Sequence, residues 1–213
     1  MNTLAYKFSY RRNLPHIQPP GATLFVTFRL ANSVPKAVMD ALYAESLEIE
    51  NILKNISDET ERAKRRYQEQ KRLFGKWDKV LDAAEEGPVW LQEPEIARLV
   101  ADSIHYRNHK VYDLEAFCIM PNHVHMVFTP LVKEEKEYHS LSAIMHSLKL
   151  YTSREANDLL QRNGGFWQHE NYDHVVRDEA EQNRIITYVL NNPVKAGLVQ
   201  YWEEWPWTYC KHF

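Results

Sequence analysis

At 213 residues the chain has room for one core-bearing domain, or for one domain with a sizeable insertion. Its 44% hydrophobic and 26% charged residues exclude a disordered or collagen-like chain, and no apolar run approaches the roughly 20 residues that span a bilayer. The formal net charge of -3 argues mildly against a dedicated nucleic-acid binder, although an acidic total can conceal a local basic face.

The first 20 residues lack the apolar stretch of a secretion signal, and two cysteines, Cys118 and Cys210, are too few for a disulfide framework. A cytoplasmic location is expected. After a loop marked by Pro15, Pro19, Pro20 and Gly21, residues 22–30 (ATLFVTFRL) alternate like a half-buried strand. From about Lys36 to Ala84 the chain reads as helical, and DETERAKRRYQEQKRLF mixes both charge signs at helical spacing. Such a mixture solvates a helix face. Lys64, Arg65, Arg66, Lys71 and Arg72 are the alternative, a basic face for phosphates.

EPEIARLVADSIHYRN follows as an amphipathic helix and KVYDLEAFCIM as a strand. Pro121-Asn122 is the expected turn, and HVHMVFTP the returning strand, ending at Pro130. LSAIMHSLKLYTSREANDLLQRN reads as a long helix closed by Gly164-Gly165, and WQHENYDHVVRD as a strand. Asp178 with Glu181 forms a capping-box pattern before EAEQNRIITYVLNN, and the aromatic tail YWEEWPWTYCKHF is expected to pack back on the core. The order is that of an α+β domain. It fits a ferredoxin-like, mostly antiparallel sheet with helices, spanning residues 1–213 with a helical insertion at about 36–100.

Strand alternation sends Val124, Met126 and Phe128 to one face, and His123, His125 and Val127 to the other. Two imidazoles side by side can hold one metal ion as neutral ligands, although an isolated His-x-His is a short motif. No Cys-x-x-Cys or His-Glu-x-x-His is present, so a third ligand must come from elsewhere. Two helix-borne pairs at four-residue spacing qualify: Tyr188 with Asn192, and Tyr151 with Glu155. Asn192 also precedes Pro193, where it could cap a short turn ending at Gly197. Periodicity leaves both pairs open.

MPNHVHMVF, HSLKLYTSREAN and FWQHENYDHVVRDEAEQNRIITYVLNNPVKAGLV, in that order and spacing, resemble the HUH single-tyrosine transposases, and within them the REP-associated tyrosine transposase branch. The resemblance runs from about Tyr10 to Tyr209. It implies an HUH endonuclease-like fold, Tyr188 as nucleophile, His123, His125 and Asn192 as ligands of Mg²⁺ or Mn²⁺, and cleavage and strand transfer on single-stranded or hairpin DNA through a 5′-phosphotyrosine. Tyr151 becomes the alternative nucleophile. Arg11, Arg12, Lys149, Arg154 and Arg162 are the candidate DNA contacts, and a monomer or homodimer is expected. His174 is read as a structural hydrogen-bonding residue. The competing readings are a hairpin-binding regulator that does not cut, and a metal-dependent hydrolase in which Tyr188 is dispensable.

Overall fold

The computed structural model describes residues 21–83, 87–133 and 137–212, together with the backbone of 10–11 and 15–16. The chain divides into two compact units, one of residues 1–31 and 89–213, the other Asn32–Pro88.

In the first unit, β1 (Tyr10–Arg11) and β2 (Pro15–His16) pair antiparallel. β3 (Leu24–Arg29) then leads into the second unit, which holds α1 (Lys36–Lys54) and α2 (Glu59–Ala83). Glu45 on α1 pairs with Arg72 and Lys76 on α2, and Glu50 with Arg66, so these helices run antiparallel. The ion pairs also favour the solvated-face reading for three of the five basic residues, Arg65, Arg66 and Arg72. Arg65 and Arg72 bind Glu69, Arg66 binds Glu50, and these three charges are offset by carboxylates of their own unit.

Back in the first unit come α3 (Pro94–Arg107), β4 (Tyr112–Ile119), β5 (His123–Pro130), α4 (Leu141–Leu159), β6 (Tyr172–Val175), α5 (Glu179–Leu190), the short α6 (Asn192–Lys195) and β7 (Thr208–Cys210). One five-stranded sheet has the order β6-β3-β5-β4-β7, with every pairing antiparallel. Without β7 this is the split βαβ arrangement, β3 and β5 lying side by side in the middle. The fold is therefore α+β and ferredoxin-like, as expected. The hairpin closes at Pro121-Asn122, with the Met120 N–H donating to the His123 carbonyl at 2.8 Å.

Val26 and Phe28 of β3 and Val124, Met126 and Phe128 of β5 form one core with Ile96, Val100 and Ile104 of α3 and Ile144, Met145 and Leu148 of α4. Fully burying each such side chain is worth about 1.5–3 kcal/mol, which fixes the register of β5 and hence the face that its histidines occupy. Three expectations need correction. β3 is buried at all six positions rather than half-buried, because the opposite face of the sheet is also covered. The last strand shrinks to Tyr172–Val175, since the residues before it form a loop whose carbonyls at 168–170 accept from Lys149. The tail does more than pack: Thr208–Cys210 adds a strand beside β4.

Candidate active site

The site is built on the sheet face away from α3 and α4. In the β3–β5 register Thr27 lies opposite His125 and Arg29 opposite His123, so these four side chains share that face. Both histidines are fully buried. Each ring is anchored through Nδ1: His123 to Asn122 Oδ1 at 2.6 Å, and His125 to Thr27 Oγ1 at 2.8 Å. Their Nε2 atoms then face each other at 3.0 Å. Asn122 Oδ1 only accepts, so His123 Nδ1 is the donor in this pair. Burial pushes the His125 pKa down to about 3, and the Lys195 charge adds to the effect, so this ring is neutral at pH 7.

α5 supplies the rest. Asp178 caps it by accepting from the Glu181 N–H at 2.7 Å. The reciprocal arm of the expected capping box goes elsewhere. The Glu181 carboxylate accepts from the Arg177 N–H at 2.9 Å and meets His174 Nε2 at 3.2 Å. At the other end α5 stops at Leu190 and α6 begins at Asn192, because Pro193 cannot donate into a continuing helix. α6 closes at Gly197, whose φ of +70° suits glycine, with the Leu198 N–H reaching back to the Pro193 carbonyl at 2.9 Å.

This break leaves Tyr188 and Asn192 together. Asn192 Nδ2 lies 3.2 Å from Tyr188 Oη and 3.2 Å from His125 Nε2. The Tyr188 ring stands edge-on to His125, with centroids 5.4 Å apart, and to Phe25 at 6.0 Å. Tyr188 is half-buried, whereas Asn192 is fully buried.

These groups fit a cation. Asn192 Oδ1 is buried without a hydrogen-bond partner among the described residues. Turning the amide over would bring that oxygen to the position Nδ2 now holds beside His125. Two imidazole nitrogens 3.0 Å apart can share one ion at metal–nitrogen bonds of about 2.1 Å. Side chains holding the far nitrogen of each ring are the usual support of metal-binding histidines.

The other sequence candidates lie elsewhere. Tyr151 and Glu155 are on α4, which packs against the opposite face of the sheet, and they are not brought to the histidines. Tyr151 is exposed, with Arg107 and Arg154 each 6.0 Å from its ring centre, and Glu155 pairs with Arg154. Lys149 donates to the carbonyls of Gln168, His169 and Glu170. Arg162 donates to Asn157 and Gly165 and lies 3.9 Å over the Trp90 ring. The Arg11 side chain and all of Arg12 lie outside the described residues. Sequence reasoning missed Thr27, Arg29, Asn122 and Lys195. Only Asn122, beside the first histidine, carried a local signal.

Residues 92–192 match the family model described as "Transposase IS200 like". This region is similar to the transposase family. His123, His125, Tyr188 and Asn192 all fall within it. Part of the chain is also similar to a Haemophilus influenzae protein provisionally named a REP-associated tyrosine transposase, at 24% identity over 105 residues. That match covers 47% of this chain and 60% of the relative's length. In fold, the chain is similar to the solved structure of a REP-associated tyrosine transposase bound to a REP hairpin, with a TM-score of 0.52 and 16% identity over 93% of this chain and 80% of the other. Among the described residues, no helix is long and apolar enough to cross a membrane.

Proposed function

We propose that this chain is a REP-type tyrosine transposase that cuts and rejoins single-stranded DNA beside a hairpin, with Tyr188 as nucleophile. The observation that carries this reading is the convergence of two imidazole nitrogens, the Asn192 amide and a half-buried phenol within hydrogen-bond reach of that amide. The transposase-like region and the hairpin-bound fold relative support the substrate class.

The reaction balances without oxidant or nucleotide. Tyr188 Oη bonds to phosphorus as the bond from phosphorus to the 3′-oxygen breaks. The phenol gives up its proton to solvent, and the departing oxygen takes one to become a hydroxyl. The phosphodiester is replaced by a 5′-phosphotyrosyl diester of similar energy, so a second 3′-hydroxyl can reverse the step and join a new strand. His123, His125 and Asn192 would hold a divalent ion, whose donor set of nitrogen and amide oxygen suits Mn²⁺ better than Mg²⁺. When bound, the ion supplies Lewis-acid withdrawal of charge from the phosphate. Thr27 and Asn122 keep both rings turned toward that position. Asn192 sets the phenol beside it.

The test is covalent capture. Hairpin DNA with an unpaired flank, labelled at its 3′ end, is incubated with protein and Mn²⁺ and run on a denaturing gel. Wild type gives a protease-sensitive shifted band, lost with chelator and in Tyr188→Phe but kept in Tyr151→Phe. A band that survives Tyr188→Phe moves the nucleophile. Tight hairpin binding with no band in wild type overturns the cutting reading in favour of the non-cutting regulator. Released product with no covalent species, undiminished in Tyr188→Phe, overturns it in favour of water-mediated hydrolysis.

A further inference from the structure

Lys195 is the last residue of α6, and its N–H donates to the Asn191 carbonyl at 2.9 Å. It lies three residues beyond Asn192, one helical turn on, and therefore on the same side of α6. The two differ in exposure: Asn192 is fully buried against His125, whereas Lys195 is exposed. The Lys195 ammonium lies 5.5 Å from the centre of the Tyr188 ring. Its field also reaches inward, since it contributes to lowering the His125 pKa.

The Tyr188 ring thus has the buried His125 ring edge-on to it, with centroids 5.4 Å apart, and the ammonium of an exposed lysine within 5.5 Å of its centre. A phosphodiester arriving at Tyr188 Oη carries one negative charge, shared by two non-bridging oxygens. Those oxygens point in different directions, and charge on them grows as the phenolic oxygen attacks. The buried groups address one of them.

We propose that Lys195 binds the other, the outward-facing non-bridging oxygen of the scissile phosphate, and so holds phosphorus in line with Tyr188. This rests on the reading of Tyr188 as nucleophile. A flexible stem ending in a compact positive charge can reach a phosphate oxygen without fixed bidentate geometry.

The experiment is single-turnover formation of the covalent band on 3′-labelled hairpin DNA, comparing wild type, Lys195→Met and Lys195→Arg. Lys195→Met keeps most of the alkyl stem and removes the charge, so it slows band formation by about 10- to 100-fold. Lys195→Arg restores the rate to within about threefold of wild type. Each protein is also given the two separated methylphosphonate diastereomers at the scissile position. On the diastereomer whose methyl replaces the outward oxygen, wild type and Lys195→Met react at the same rate, because the partner of Lys195 is gone. On the other, the Lys195→Met defect persists. Packing of the lysine stem on Tyr188 alone would give the same defect on both.

A Lys195→Met rate equal to wild type overturns the proposal. So does a Lys195→Arg variant as slow as Lys195→Met, or an equal defect on both diastereomers. A wild-type protein that forms no band, or a band that survives Tyr188→Phe, overturns the nucleophile reading itself and the Lys195 contact with it.

Discussion

Thr27 and His125, 98 positions apart in the chain, are joined by a side-chain hydrogen bond of 2.8 Å between Oγ1 and Nδ1. They are direct register partners on β3 and β5. The bond therefore costs little extra ordering once the sheet has formed, and it fixes which nitrogen of His125 faces the pocket. Replacing Thr27 with valine keeps the β-branched shape and removes the hydroxyl. Divalent-ion affinity measured by calorimetry is expected to fall about 10- to 100-fold in Thr27→Val. Unchanged affinity would show that the hydroxyl does not orient the ring.

Asn192 offers a different handle on the same pocket. Asn192→Asp places a carboxylate in a fully buried position beside the neutral His125. Without metal, the buried charge is uncompensated, and the variant is expected to melt below wild type. With Mn²⁺, the rise in melting temperature should exceed that of wild type, since an anionic oxygen binds a divalent ion more tightly than an amide. An equal rise in both proteins would remove Asn192 from the ligand set.

The depressed pKa of His125 predicts a pH-dependent stability of the metal-free protein. The folded-state value of about 3 lies below the ordinary histidine value near 6.5, so between the two the unfolded chain takes up a proton that the folded chain refuses. The stabilisation is fully present above about pH 6.5 and is lost as pH falls toward 3. Between pH 6.5 and 5 the loss amounts to about 2 kcal/mol from this residue. Urea unfolding in chelator at pH 7 and pH 5 should show it, and His125→Gln should flatten the difference. The same pH slope in both proteins would assign the effect to other groups.

Lys149 was expected among the DNA contacts, yet its ammonium meets three successive carbonyls in the loop before β6. Lys149→Met is expected to lower unfolding free energy by about 1–2 kcal/mol while leaving hairpin affinity of the folded protein unchanged. A stable variant with weakened DNA binding would restore the original expectation.

Much of this fold could be read from local pattern. β5 occupies His123–Pro130, the stretch picked out by alternation and the proline at its end, and the Pro121-Asn122 turn closes the hairpin as its residue types imply. What escaped was set at long range. β7 is three residues of an aromatic tail just after Pro206, too short for alternation to register, and it exists because the edge of β4 is open to receive it. The histidines are buried rather than facing water, and the break at Pro193 leaves Asn192 against His125, a tertiary contact without a local signature. The tie between the two tyrosines could not be broken by periodicity, since Tyr151 and Tyr188 both head correctly spaced pairs. The two helices differ only in which side of the sheet they cover.

The placement of these groups also has a consequence for motion. β5 is the middle strand of five, hydrogen-bonded on both edges, and its backbone amides should be among the last in the chain to exchange with deuterium. Tyr188 sits in the last turn of a helix cut short two residues later, where backbone bonds open first. The imidazoles are thus mounted on the stiffest part of the molecule and the phenol on one of its looser ends. On the proposed function, the tyrosine carrying a severed strand can swing there, while the histidines beneath it stay still.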